Sequence, residues 1–276
     1  MLDWKQTVSA PATTVNIGNI ASYVCTSIPS SSPIDNFYNE RNKLLSAVSP
    51  TYATSHPTVI PLILVGMISI TENYFRELLA GIITLCPVAK EKSSSKALNL
   101  ATIWFGYSQM EKGAFENISF SDVDAVKKAF QSFIGYEIKP SNQLIAPLNE
   151  FGKLCELRHA IVHSASILAG KNAIKLQLPG SGNPVRVQVG FSELQEAAEV
   201  CTSLICAVNL DLFELLSRRW LFEWPGTPAY IGQDMNQLFR KVWNLFYSNF
   251  DATNGLISQP LTYVKTKNLI ISTNAS

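Results

Sequence analysis

The hydrophobic pattern of the chain is mainly that of α-helices. An apolar stretch from Thr58 to Ile70 continues into more polar residues, and together they predict one long helix over residues 58–85. Its early part is apolar on all sides, which indicates burial on most faces. Helical spacing of apolar residues predicts further helices beginning near residue 33, at 121, between 142 and 147 (ending near 164), at 191 (ending near 219) and at 234 (ending near 250).

Two short segments alternate between polar and apolar residues, as β-strands do. AIKLQL (173–178) and PVRVQV (184–189) flank the Gly-rich turn PGSGN and predict a β-hairpin. LTYVKTKNLIIS (261–272) favours one strand or a small hairpin. Residues 1–33 are rich in Ser, Thr, Pro and Ala and predict an irregular arm.

The fold class that follows is mainly α, a helical bundle with an inserted β-hairpin and decorated termini. We expect an N-terminal arm over 1–33 and a helical domain over 34–218. Residues 219–276 then form a C-terminal helix and a short strand extension that pack on the same domain.

Composition limits the classes of function. Charged residues make up 16% and hydrophobic residues 47% of the chain, which implies a sizeable core and apolar surface for another subunit. A formal net charge of +1 argues against a protein that coats nucleic acid through bulk electrostatics, although a local basic site is compatible with it.

The sequence also indicates where the protein acts. The N-terminus has no secretory pattern, and an apolar stretch of about 13 residues is shorter than the roughly 20 that span a bilayer. Five scattered cysteines without a C-x-x-C pair suit free thiols in a reducing compartment and not a structural zinc site. We therefore expect a cytoplasmic protein without a membrane partner.

One short run carries chemistry. The chain has 3 histidines, and two of them, His159 and His163, lie beside Arg158 in CELRHAIVHSA (155–165). A histidine exchanges a proton near neutral pH, and an arginine binds a phosphate and offsets its developing charge. Together they suffice for attack of a ribose 2′-hydroxyl on the adjacent phosphate, with a 2′,3′-cyclic phosphate as product. This reaction needs no metal and no other cofactor.

The spacing of Arg158 and His163 restricts how they meet. Five residues on a regular α-helix separate two side chains by about 140°. Either the helix ends or bends before His163, or two copies of the chain pair so that Arg158 of one lies near His163 of the other.

The run R-H-A-I-V-H resembles the R-x4-6-H signature of HEPN domains (higher eukaryotes and prokaryotes nucleotide-binding). Arg158 takes the Arg position, His159 the polar position that is often Asn, and His163 the His position near a helix end. Long helices before and after the motif also suit the family, and the resemblance covers roughly residues 34–218.

This resemblance implies a helical bundle that dimerises with both motifs facing one cleft. It further implies an RNA endonuclease, commonly a toxin or an antiviral effector, with RNA as substrate and an antitoxin or regulatory protein as partner. Some members are inactive or bind nucleotides only, so the alternative is a non-catalytic sensor or a nucleotide- or partner-binding module. Ala165 stands where a Tyr is modified in some members, which excludes that form of regulation.

Two further residues are candidates for supporting roles. His159 is expected to hydrogen-bond the phosphate or orient its neighbours, and Glu72, on the otherwise apolar helix, to reach the same cleft. The plainer interpretations are an ion-paired surface Arg158, a dipole-stabilised His163 at a helix end, and a solvent-facing Glu72.

The same sequence offers two rival sites. Cys155, His159 and His163 repeat every four residues, but two turns span about 11 Å, so all three cannot share one metal. The aromatic turn with Trp220, Phe222 and Trp224, next to Arg218 and Arg219, suits either base stacking or a cap on the core.

Overall fold

The structure is a computed structural model that describes residues 14–25, 31–98, 100–104, 110–180 and 182–274. The chain divides into two compact units, Met1–Ser30 and Ser31–Ser276. In the first unit the described residues contain a short 3₁₀ helix, Ile20–Tyr23, whose start is capped by the Asn19 side chain. Most of the predicted irregular arm, residues 1–13 and 26–30, lies outside the described residues.

The second unit is mainly α-helical, as the sequence predicts. Its α-helices are α1 (Pro33–Ser46), α2 (Pro50–Ser55), α3 (Ile60–Leu85), α4 (Pro87–Ser93), α5 (Leu100–Trp104), α6 (Val123–Ala129), α7 (Ile145–His163), α8 (Gly170–Lys175), α9 (Phe191–Phe222), α10 (Met235–Phe246), α11 (Asn249–Thr253) and α12 (Tyr263–Asn274). Short 3₁₀ helices at Met110–Phe115, Trp224–Gly226 and Pro228–Tyr230 connect some of them, and a π-helical turn, Phe130–Ile134, extends α6.

Helices α3 and α9 form the centre of the bundle. The predicted long helix is present as α3, with Pro61 in its first turn, where no intrahelical N–H bond is lost. Cys86 and Pro87 end it, and α3 packs against α1, α7 and α9. Among the described residues α9 alone is long and apolar enough to cross a membrane. Core helices pass the same test, and α9 packs against α3, α7 and α10.

Helix α7 carries the motif. Pro147 lies in its first turn, as expected, and the side chains of Leu148, Phe151, Cys155, Ala160 and Ile161 are buried. This buried stripe packs against α3 and α9, which fixes the helix and leaves the opposite side to solvent.

The predicted β-hairpin is not found. The first alternating segment is partly helical, since Ala173–Lys175 belong to α8, and Ile174 is 78% exposed. The second segment is extended, but it pairs with the residues that follow α7. Leu168 donates to Val185 O and Val187 donates to Ser166 O, each at 2.8 Å, which makes one isolated bridge. Alternation over six residues predicts that a segment has one exposed and one buried side, but it does not specify the segment that pairs with it. Here residues 166–168 take the place of the predicted partner strand.

The strand predicted at the C-terminus is also wrong. Residues 263–274 form α12, which packs on α10. The guanidinium carbon of Arg240 lies 5.5 Å from the centroid of the Tyr263 ring, a cation–π contact, and Lys267 Nζ donates to Asn236 Oδ1 at 2.6 Å. The spacing of the apolar residues in this segment is compatible with either a strand or a helix. Packing against α10 favours the helix.

Candidate functional site

The end of α7 determines where the motif residues lie. His163 is the last helical residue, and the chain then turns through Ala165 and Ser166, whose φ angles are 48° and 69°. Ser164 N and Ser166 N both donate to Ala160 O, at 3.1 and 3.0 Å. The helix therefore does not end before His163.

The two histidines of the motif are in contact. Their ring centroids are 4.8 Å apart, and both residues are exposed. They lie four residues apart, one above the other on the same side of α7. Two groups that can each exchange a proton thus share one accessible patch at the end of the helix.

Arg158 is half-buried and forms no ion pair or hydrogen bond with any residue that the structure describes. The interpretation of Arg158 as an ion-paired surface residue therefore has no support in this part of the chain. An arginine without an internal partner keeps its five N–H donors for an anion from outside.

Glu72 is buried and does not face solvent. It is 7% exposed, and its Oε2 accepts from Arg76 Nη2 at 3.1 Å. Arg76 also donates to Ile118 O at 3.1 Å and lies over the Phe120 ring, so the ion pair is held from both sides.

The Cys155 thiol lies near both Glu72 and the motif residue Arg158. Burial and the neighbouring Cys201 and Glu72 raise the pKa of Cys155, whereas the guanidinium of Arg158 lowers it. Glu72 on α3 and Arg158 on α7 therefore both lie close enough to this thiol to influence it. The thiol stays protonated at neutral pH and acts as a small apolar group.

A polar groove of about 740 Å³ borders the motif on one side. It lies between the start of α6, the middle of α7 and α8, and its lining includes His159 and Cys155 but not Arg158 or His163. Its lining also contains four lysines and four acidic residues: Lys127, Lys153, Lys171, Lys175, Asp122, Asp124, Glu150 and Glu156. Because these formal charges cancel, and Lys153 and Lys175 already pair with Glu150 and Glu156, the groove is not a strongly basic track.

Sequence reasoning missed Lys171 and Lys175 as neighbours of the motif. The alternating pattern of 173–178 assigns Lys175 to a strand and leaves Lys171 in the loop before it, so it does not place the two on one face. Their spacing of four residues was the available signal for one helical face.

Arg158 and His163 do not converge within one chain if α7 is regular, since its geometry sets their side chains about 140° apart. Exposed apolar residues occur near them. Val162, one turn after Arg158 on α7, is 46% exposed, and Ile167, just after the helix, is 41% exposed. Ile174 on α8 is 78% exposed. Exposed apolar residues of this kind are suited to contact with another chain.

The rival sites gain no support. Among the described residues no group of three or more His, Cys, Asp or Glu side chains is placed to hold a metal ion. In the aromatic turn, Trp220 and Trp224 are buried, and Trp220 Nε1 donates to Met235 O at 2.9 Å.

The arginines of that turn are engaged as well. Arg219 is 6% exposed and donates to Ile134 O at 2.8 Å, and Arg218 pairs with Glu214 at 3.0 Å. Only Phe222 of the three aromatic residues is exposed, at 61%. The turn therefore caps the core, and it offers no stacking surface made of several rings.

Comparison of the chain with protein-family models, with curated proteins and with solved structures finds no match.

Proposed function

We propose that the protein is a metal-independent RNA endonuclease of the HEPN type that acts as a homodimer, in the role of a toxin or antiviral effector. The observation that carries the proposal is the end of α7, where His159 and His163 are exposed in contact and Arg158 has no partner among the described residues. These three groups are available to a substrate, as a phosphodiester-cleaving site requires.

His163 acts as the general base and then as the general acid. Its imidazole takes the proton of the ribose 2′-hydroxyl, and the 2′-oxygen forms a bond to phosphorus. Arg158 stabilises the additional negative charge on the phosphorane-like state. The bond to the 5′-oxygen then breaks, and His163 returns the proton to that oxygen. The products are a 2′,3′-cyclic phosphate and a free 5′-hydroxyl.

The site is completed by a second copy of the chain. Arg158 of one chain acts with His163 of its partner, because a regular helix holds the two side chains of one chain about 140° apart. The exposed apolar residues Val162, Ile167 and Ile174 supply surface for this contact. A two-fold axis would then create two equivalent sites.

His159 and Glu72 have supporting roles. His159 touches the His163 ring and orients it or donates a hydrogen bond to the phosphate. Glu72 is a positioning residue, because it is buried in its ion pair with Arg76 and does not meet solvent. It acts through the side chains packed around Cys155, whose pKa is influenced by both Glu72 and Arg158.

The first experiment tests cleavage directly. The full chain is incubated with structured RNA in the presence of a chelator, and the ends of any products are analysed. We expect 2′,3′-cyclic phosphate ends from the parent and at least about a hundredfold slower cleavage by His163→Ala. His56→Ala is the matched control, because His56 is exposed and stacks on Tyr52 away from the motif.

The outcomes distinguish the two candidate functions. RNA binding without cleavage products would instead support the alternative function, a sensor or binding module that uses the same patch. Equal cleavage by His163→Ala and the parent would contradict the proposed role of His163 as general base and acid.

A mixing experiment tests the shared site. Arg158→Ala and His163→Ala chains are inactive alone, but a mixed dimer contains one site with both native groups. After random reassociation, half of the dimers are mixed and each has one of two sites, so about a quarter of the parent activity returns. If the mixture stays inactive while dimers are shown to exchange, each chain carries its own site.

A further inference from the structure

A cavity of about 650 Å³ lies away from the motif, between α1, α9, α10, α11 and the segment that leads to α12. Its walls are mostly apolar and aromatic: Ile34, Leu210, Phe213, Trp243, Phe246, Leu256 and Leu261. Cavities of roughly 300–1,000 Å³ with apolar walls and a few convergent polar groups are the usual form of small-molecule sites. Both the size and the lining meet that description.

One end of the cavity is polar. The Tyr38 hydroxyl lies 3.3 Å from the Cys206 Sγ, and Asp251 on α11 lines the same end. Burial raises the pKa of Tyr38, and Cys206 and Asp251 raise it further. Burial also raises the pKa of Cys206. The hydroxyl and the thiol therefore stay neutral and protonated, which leaves the Asp251 carboxylate as the charged group there.

Asp251 has an unused acceptor. Its Oδ1 is buried and has no hydrogen-bond partner among the described residues, while the carboxylate raises the pKa of Tyr38 through a hydrogen bond and through its charge. A buried carboxylate oxygen without a donor is costly. A donor delivered by a ligand would remove that cost.

Two other polar side chains around the cavity are already paired. Asn209 Nδ2 donates to Phe246 O at 2.8 Å, and Ser248 Oγ donates to Asp35 Oδ1 at 3.2 Å. The guanidinium of Arg41, which also influences Cys206, donates to Thr202 Oγ1 at 2.8 Å, and its buried Nε has no partner among the described residues. Because a guanidinium donates and does not accept, the Asp251 carboxylate is the group that would accept from a ligand's donor.

We propose that this cavity binds an amphipathic amine, a molecule with an aromatic or aliphatic body and one protonated amino group. The body packs among the rings of Phe213, Trp243 and Phe246, and the ammonium donates to Asp251 Oδ1. A charge-assisted bond of this kind favours an amine over an alcohol, and the carboxylate repels an acid.

The outer wall of the cavity offers a route of entry. Residues 256–261, which are not helical, form that wall together with Thr266 of α12. Leu256 is 66% exposed, and α12 has no buried residue. This wall is held by fewer packed side chains than the rest of the cavity, so it is the part that opens for a ligand.

The test uses three probes with one body and different ends: 1-naphthylmethylamine, 1-naphthylmethanol and 1-naphthoate. Calorimetric titration of the full chain should give the tightest binding for the amine and the weakest for the acid. Asp251→Asn should weaken amine binding by at least about tenfold and change alcohol binding by less than about threefold. Glu196→Gln, at an exposed position of α9, is the control and should bind like the parent.

A second variant tests the cavity itself. Leu210 is 67% exposed and lines the cavity, so Leu210→Trp can place a ring there without disturbing the core. Binding of the amine and the alcohol should both fall. The proposal is overturned if no probe binds at millimolar concentration, if amine, alcohol and acid bind alike, or if a folded Asp251→Asn chain binds the amine as the parent does.

Discussion

The ring of His159 lies against the ring of His163, with centroids 4.8 Å apart and planes inclined by 49°. The two residues are on the last two turns of α7, and both are exposed. A neighbour in contact limits the rotamers of His163, which matters for a group that must approach one atom of a substrate. In the proposed mechanism His159 therefore positions His163 without itself exchanging a proton.

The first prediction concerns this contact. His159→Ala should lower kcat for RNA cleavage by roughly tenfold, because His163 loses its neighbour and the phosphate loses a donor. His159→Asn should stay within about threefold of the parent, since an amide also donates a hydrogen bond. Single-turnover cleavage of one RNA by the three proteins measures both effects. A full loss in both variants, with unchanged melting temperature, would give His159 the role here assigned to His163.

The second prediction concerns Asp35, a buried carboxylate on α1. It accepts hydrogen bonds from Ser248 Oγ, Asn249 N, Asn249 Nδ2 and Phe250 N at 2.8–3.2 Å. Asp35→Ala leaves these donors without their acceptor and should lower the free energy of unfolding by about 3 kcal/mol or more. Glu40→Ala in the same helix removes only an exposed pair with Lys43 and should cost less than about 1 kcal/mol. Urea titration of both variants gives the comparison, and similar costs would contradict it.

The third prediction concerns the turn after α7. Ala165 has a φ of 48°, in the left-handed region that is unfavourable for residues other than Gly. Ala165→Gly should raise the free energy of unfolding by about 0.5–1 kcal/mol, because relief of this strain exceeds the added entropy of the unfolded chain. Thermal unfolding measures the change, with Ala146→Gly, at an exposed helical position of α7, as the control that should lose stability. A loss in Ala165→Gly as large as in the control would show that the turn is not strained.

The fourth prediction concerns alkaline pH. Burial and a hydrogen bond to Asp211 raise the pKa of Tyr136 from 10.0 to about 12. The unfolded chain releases this proton first, so the stability that Tyr136 contributes is complete below pH 10 and is lost as the pH rises from 10 to about 12. Tyr136→Phe removes this dependence. Urea midpoints of parent and variant at pH 8, 10 and 11 should therefore converge as the pH rises, and a constant difference would contradict the assignment.

The helices could be predicted from the sequence where the pattern was long. The apolar run before Glu72, with Pro61 at its start and Pro87 at its end, leaves little choice but a buried helix. The motif could be found because Arg158, His159 and His163 are adjacent in sequence. The environment of the motif could not be predicted, because the burial of Glu72 depends on its ion pair with Arg76 and on the hydrogen bond from Arg76 to the backbone of Ile118.

Short segments were predicted less well. Val185 and Val187 were correctly expected to be extended, but their partner is the chain just after α7, which no local pattern specifies. Ile270 packs against the core from a helix, although the same residues alternate well enough for a strand. The cavity gives no sequence signal, since Tyr38, Cys206 and Asp251 come from three separate helices and other elements complete its walls.

The bonds between Asp35 and residues 248–250 join positions about 214 apart in the chain. The first helix of the bundle packs mainly against α3, but its Asp35 carboxylate can receive these donors only after nearly the whole polypeptide has been synthesised. A chain shortened near residue 218 would lack all of these donors, and we expect it to be less stable and more readily degraded, without any change in its motif.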